Sequence, residues 1–294
     1  MSTKEWTKIG TDTYYFPGPC NVGFCNGLVI DGADWKSAPK AAGAMADAGL
    51  TPRWLLNTHG HGDHYGGDGE FMKLGAELLA TREQTPWIEQ PDIDTTFSYG
   101  ARIFDRGYEP PDFIVCGNFD VQRTIVPGKL ELDGNVFTLT EHFGHAMDQL
   151  AIETPDKVMF IGDILMAEKA LEYFRLPQLI SVKQALADIQ FVAESDAQCF
   201  VVAHGKVLED PKRLCEMNTE RILQVVQMVF DYCASPRTRD EIAGHILVQL
   251  DVPCLVGNGI MAHSLAGTVL AYLIDENRVD FLFDDARVMR YRQA

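Results

Sequence analysis

Apolar residues in the first two hundred positions fall in short runs that end at glycine or a polar turn. This is a pattern of strands more than of long helices. Residues 13–17 and 26–31 read as strands of an antiparallel meander, with breaks at Gly18, Gly23 and Gly32. Residues 35–48 have helical periodicity and stop at Gly49. Residues 53–58 form a compact apolar strand that runs straight into a glycine-rich polar turn. A short helix at 71–74 and a strand at 77–81 follow. Further strands are expected at 136–140, 150–154, 158–161 and 199–203, with a helix over 182–194.

Two segments depart from this rhythm. Residues 84–120 read as an irregular insert, with Pro86, Pro91, Pro110 and Pro111 among the aromatics Trp87, Phe97, Tyr99, Phe104 and Tyr108. A long insert in a compact domain is expected to be a lid or binding loop, its rings lining an apolar pocket or packing the lid itself. Pro211 opens a long helix to about residue 232, and Ala234-Ser-Pro-Arg reads as a boundary. Beyond it come amphipathic helices at 238–250 and 259–276, then a hairpin over 280–291, the order of a winged-helix module. The expected division is residues 1–210 and a small C-terminal domain, 211–294. No internal repeat is visible.

Composition narrows the classes. Of 294 residues, 46% are hydrophobic and 23% charged, which excludes collagen-like and disordered chains. No run approaches the ~20 apolar residues of a membrane span, and the opening residues lack the apolar core of a secretory signal. The net charge of −17, concentrated before residue 210, repels nucleic-acid phosphates and anionic lipids. Seven cysteines, an odd number with no Cys-x-x-Cys pair, suggest reduced thiols in a cytoplasmic protein.

The chemistry is densest in Thr58-His59-Gly60-His61-Gly62-Asp63-His64, just past an apolar strand. Three imidazoles and a carboxylate within six residues suit a divalent metal, and the glycines let the backbone turn sharply between them. The alternative is a solvated polar turn. Three more strand ends carry candidates: His142 and His145 in Glu141-His-Phe-Gly-His, Asp163 after Phe160-Ile-Gly, and His204 after Val202-Ala. Each is weak alone, but strand ends on one edge of a layered sheet converge in space.

Taken in order, His59-x-His61-x-Asp63-His64, His145, Asp163 and His204 resemble the metallo-β-lactamase superfamily over roughly residues 8–210. The resemblance implies an α/β fold, a four-layer αββα sandwich with a binuclear site at one edge. It implies that His59, His61 and His145 hold one metal and that Asp63, His64 and His204 hold the second, with Asp163 bridging. The winged-helix-like tail is similar to that of the β-lactamase-like protein 2 and glyoxalase II-like branch. The residue after His145 is Ala146 here, where that branch carries threonine.

The expected cofactor is two divalent ions, zinc first, with iron or manganese as alternatives. A hydroxide between them would attack a small ester, thioester or lactone, with Asp63 accepting and returning the proton. An iron-dependent persulfide dioxygenase and a metal-dependent ribonuclease or phosphodiesterase are the rival readings. A non-catalytic scaffold with structural metals is another. The partner is a small molecule, with no membrane and possible homodimerisation. Thr58 and Asp148 are candidates to orient the imidazoles, Asp148 equally a solvated carboxylate. Asn21 matches an asparagine of the branch or shapes a turn. His142 is expected to pack or lie at the surface, Lys206 to be exposed, and His245 and His263 not to ligate.

Overall fold

The computed structural model describes residues 5–102 and 117–294. The chain begins with strands β1 (Thr7–Lys8), β2 (Thr13–Phe16), β3 (Val22–Cys25) and β4 (Leu28–Ile30), then helix α1 (Ala38–Gly43) and strand β5 (Trp54–Leu56). Helices α2 (Gly62–Tyr65) and α3 (Asp68–Lys73), strand β6 (Glu77–Thr81), helices α4 (Thr85–Glu89) and α5 (Asp92–Tyr99), and strand β7 (Arg123–Ile125) follow. A second series runs through β8 (Gly128–Leu132), β9 (Asn135–His142), β10 (Gln149–Glu153) and β11 (Val158–Phe160). It continues with α6 (Glu168–Phe174), α7 (Val182–Glu194), β12 (Cys199–Val201) and β13 (Val207–Leu208). Helices α8 (Lys212–Tyr232), α9 (Arg239–Gln249) and α10 (Val256–Asp275) precede the hairpin of β14 (Val279–Phe283) and β15 (Met289–Gln293).

Strands β1 to β7 form one sheet in chain order, antiparallel as far as β4 and parallel beyond it. The second sheet has the order β13-β12-β11-β10-β9-β8, with a single parallel pair, β11 and β12. Period-two alternation stacks the layers. Leu28 and Ile30 face the space between the sheets while Val29 faces the helices α1 and α3. In the second sheet Leu150, Ile152, Val158 and Phe160 point inward, and Ala151 and Met159 point to the opposite helical layer. Each large apolar side chain buried in this way contributes roughly 1.5–3 kcal/mol. A one-residue slip between β9 and β10 would expose Phe137 and Leu139 together, so the pairing of Leu139 with Ile152 is strongly specified. The result is an αββα sandwich.

The C-terminal helices share a core with the second helical layer. Ile222, Val225 and Val229 of α8, Ile242 of α9 and Leu265 and Leu270 of α10 lie in one buried cluster with Ile189 of α7 and Phe200 of β12. Thr238 and Glu241 close a reciprocal capping box on α9. Arg237 bridges to Tyr291, adding a short third strand position beside the hairpin.

Three expected elements change. The helix over 35–48 shrinks to α1, begun by Pro39 in its first turn, and the residues after it close as turns such as Ala48 N–H to Met45 O. The segment from residue 84 is helical through α4 and α5, because Pro86 and Pro91 sit at helix starts, where a missing N–H costs nothing. Pro110, Pro111, Phe104, Tyr108 and Cys116 lie outside the described residues. The helix over 259–276 starts three residues earlier, at Val256.

Candidate metal centre

Four loops leaving strands β5, β9, β11 and β12 bring seven side chains together. The β5 loop carries His59 and His61, and the single turn α2 that follows adds Asp63 and His64. His145 comes from the loop after β9, Asp163 from the turn after β11 and His204 from the turn after β12. Gly60 is needed for close approach, since a Cβ there would lie 2.3 Å from Trp87 Cβ. Gly162 takes φ +51° immediately before Asp163, a left-handed turn that suits glycine.

The seven divide by geometry into two triads. His61 Nδ1 lies 2.9 Å from His59 Nε2 and 3.0 Å from His145 Nε2, so three imidazole nitrogens converge. On the other side His204 Nε2 lies 3.2 Å from Asp63 Oδ2, and both group with His64 within metal-ligand reach of one another. Asp163 stands between them. Its Oδ2 is 3.5 Å from His145 Nε2, while its Oδ1 is 3.5 Å from His204 Nε2 and 3.6 Å from His64 Nε2.

The rings of His64, His145 and His204 are aimed by their far nitrogens. His64 Nδ1 meets Asp31 Oδ2 at 3.2 Å and Thr58 Oγ1 at 3.2 Å. His145 Nδ1 donates to Gln178 O at 3.1 Å and His204 Nδ1 to Pro19 O at 2.6 Å. Asp31 also accepts the Thr58 amide at 2.7 Å. Asp148 is buried and accepts the Gly60 amide at 2.8 Å, so its role is to hold the histidine loop and the solvated alternative falls. Asn21 clamps the His204 turn, donating to Val202 O and Gly205 O at 2.9 and 3.0 Å. Gln149 Oε1 accepts the Asp163 amide at 3.2 Å.

Burial drives the His59 imidazole far below its ordinary pKa and His145 down to about 4, so both are neutral donors near pH 7. Burial also opposes charge at His64 and His204, but surrounding Cys20, Asp31, Asp63 and Asp163 outweigh it and raise both. Asp163 is lowered despite its burial, because His204 and His64 face it. The acidic surroundings that favour protons on His64 and His204 would equally favour a cation there. His64 Nε2 is fully buried and makes no hydrogen bond, although it points toward Asp163. A buried nitrogen of this kind is costly without a coordinating partner. The donor set, neutral imidazoles and carboxylates, fits divalent zinc, iron or manganese.

The remaining candidates stay outside. His142 is buried and paired with Asp188 at 3.0 Å, Lys206 is exposed, and His245 and His263 lie on α9 and α10. Asp31, Cys20 and Gln178 went unnoticed in the sequence. Asp31 carried a usable signal, an acidic residue directly after the apolar run Leu28-Val-Ile, as Asp163 follows β11. The carbonyls of Pro19 and Gln178 carry none, because any residue supplies one. The cysteines described are all unpaired, consistent with the expectation of free thiols. No helix among the described residues is long and apolar enough to cross a membrane.

A small cleft opens onto the first triad at His61 and His145. Trp87, Phe97 and Leu179 line it, and so does Ser264 of α10. The Trp87 and Phe97 rings meet edge to face at 5.5 Å.

Comparison with known proteins agrees with this geometry. Residues 17–204 match the family described as the metallo-beta-lactamase superfamily. A hydroxyacylglutathione hydrolase from Anaeromyxobacter dehalogenans is 54% identical over 58 residues, 19% of this chain and 22% of that protein. An atrochrysone carboxyl ACP thioesterase from Passalora fulva is 27% identical over 239 residues, 78% of this chain and 60% of its own length. The chain thus spans less than two thirds of either relative. A beta-lactamase domain protein from Burkholderia ambifaria superposes with a TM-score of 0.72 at 14% identity, covering 100% of this chain and 94% of that one. A metallo-beta-lactamase family protein from Thermus thermophilus reaches 0.68 at 20% identity, covering 96% and 99%.

Proposed function

This chain belongs to the metallo-beta-lactamase superfamily, and from that premise we propose that it is a metal-dependent hydrolase that cleaves a small ester, thioester or lactone at a two-cation centre. The observation that carries the reading is Asp163, with one carboxylate oxygen turned to each triad. On this reading His59, His61 and His145 hold one cation, Asp63, His64 and His204 the other, and Asp163 both. Zinc is the first candidate, with iron or manganese next. When bound, the cations supply Lewis acidity and bring the pKa of a water toward neutrality.

The protein's own groups do the rest. Asp31, Thr58, Gln178 O and Pro19 O hold the rings in one orientation. Asp63 has 24% of its side chain exposed against 17% for Asp163, so it is the carboxylate we assign to take and return the water proton. In the reaction a C–O bond forms between water and the acyl carbon, the C–S or C–O bond breaks, and the leaving group departs with a proton.

Two further observations favour an acyl substrate over a phosphodiester. The cleft has no lysine or arginine among its described lining residues, and the charge of −17 opposes polyanions. One relative is named as a hydrolase of hydroxyacylglutathione and another as a thioesterase. The test is elemental analysis of the purified protein, followed by turnover of ester, thioester, lactone, phosphodiester and glutathione persulfide substrates. Near two ions per chain with acyl turnover is expected. Persulfide oxidation with bound iron, phosphodiester cleavage alone, or acyl turnover that survives complete chelation would overturn the reading.

A further inference from the structure

The cleft beside the first triad has one wall that the superfamily match does not reach. Ser264 lies on α10, sixty residues past the matched segment, yet it lines the same space as His61 and His145. The helix is tied there. Thr268, one turn further on, donates from Oγ1 to Leu179 O at 3.1 Å. The preceding carbonyl, Gln178 O, accepts His145 Nδ1, and Ile180 N–H donates to Gly144 O at 2.9 Å. The 178–180 strap therefore joins the C-terminal helix to a centre residue on one side and forms cleft wall on the other.

The wall chemistry limits what fits. Trp87 and Phe97 present rings, Leu179 and Ile180 aliphatic surface, and Ser264 a small hydroxyl. Among the described lining residues none is lysine or arginine, and the acidic one, Asp94, offers an anion no partner. A substrate carboxylate held against these walls, apart from any cation at His61 and His145, would meet no cationic side chain among the described residues and would share the cleft with Asp94, which is costly. An apolar chain gains from burial against the rings.

We propose that this cleft is the acyl subsite, that it takes a neutral apolar acyl group, and that Ser264 of the C-terminal helix sets how large that group can be. The proposal rests on the acyl-hydrolase reading above. It goes further in naming the acyl class and in giving the C-terminal helix a part in specificity.

The probes are acetyl, isocaproyl and succinyl thioesters of N-acetylcysteamine, the last two matched in shape and differing in charge. Isocaproyl is expected to exceed succinyl by about tenfold or more in kcat/KM, the scale of discrimination by a hydrophobic pocket. Ser264→Phe fills the wall and should lower the isocaproyl-to-acetyl ratio about tenfold, and Ser264→Ala should not lower it. Succinyl turned over as well as isocaproyl, or an unchanged ratio in folded Ser264→Phe, overturns the proposal. A second readout separates this from failure of the hydrolase reading. If no thioester is cleaved, isocaproamide and succinamate are titrated against tryptophan fluorescence, with Trp87→Phe as control. Quenching by isocaproamide alone, lost in the control, supports the subsite. Equal quenching by both, or none, overturns it.

Discussion

Asp31 Oδ2 sits 3.2 Å from His64 Nδ1, and this pairing decides which nitrogen of His64 faces the centre. Asp31 touches none of the other six candidate ligands, yet it turns a flexible imidazole into one with Nε2 aimed at Asp163. Outer carboxylates of this kind raise ligand basicity as well as orienting it. Asp31→Ala is therefore expected to weaken occupancy of the second cation about 10–100-fold while the first triad still loads. Titration of the chelated protein with zinc, followed by calorimetry, reads both sites. Equal weakening at both would remove the distinction between the triads.

Asp163→Ala should act differently. It withdraws an oxygen from each triad, so metal content should drop from near two ions per chain to below one. Elemental analysis of protein purified in parallel checks this. A stoichiometry that stays at two excludes Asp163 from the centre.

Asp63→Asn keeps side-chain size and removes the proton acceptor. With metals replete, kcat on the best acyl substrate should fall by about 10²-fold or more, the low end of a general acid–base contribution. Near-wild-type kcat with both ions retained would move the proton transfer elsewhere.

Trp87 packs against the backbone of Gly60 and faces the cleft. Trp87→Ala should raise KM or change substrate preference more than it changes metal content. Kinetic constants that stay equal across the panel would make the ring a packing residue only.

Asp156, far from the centre, ties the start of β2 to the second sheet. It accepts from Thr13 Oγ1 at 2.5 Å, Thr154 Oγ1 at 2.6 Å and the Asp12 amide at 2.8 Å. Burial raises its carboxyl, but these bonds outweigh burial and hold it below the ordinary value. Stability from a lowered carboxyl is present above its unfolded pKa and lost as pH falls through the folded one. Asp156→Asn should cost about 1–2 kcal/mol at pH 7, discounted for partial exposure. The gap to wild type should close below about pH 4. Denaturant melts of both chelated proteins across pH would show it, and a gap that persists in acid would refute the assignment.

Much of this protein was legible along the chain because its chemistry is local. His59, His61, Asp63 and His64 fall within six residues, and short apolar runs such as Leu28 to Ile30 and Leu150 to Ile152 mark the strands. The helices 238–250 and 182–194 were equally local. What only tertiary structure decided depends on contacts between distant segments. The resemblance implied the division of the ligands into two triads, but their convergence depends on where four strand ends meet. The roles of Asp31, Asp148 and Asn21 come from partners 27 to 184 residues away, such as Thr58, Gly60 and Gly205. The prolines of 84–91 were read as breaks, whereas packing of Trp87 against the histidine loop makes them helix starts. Ser264 carries no signal in sequence, since a lone serine on a helix is ordinary. Its place in the cleft exists only because α8 to α10 pack against the sandwich and bring α10 to the centre.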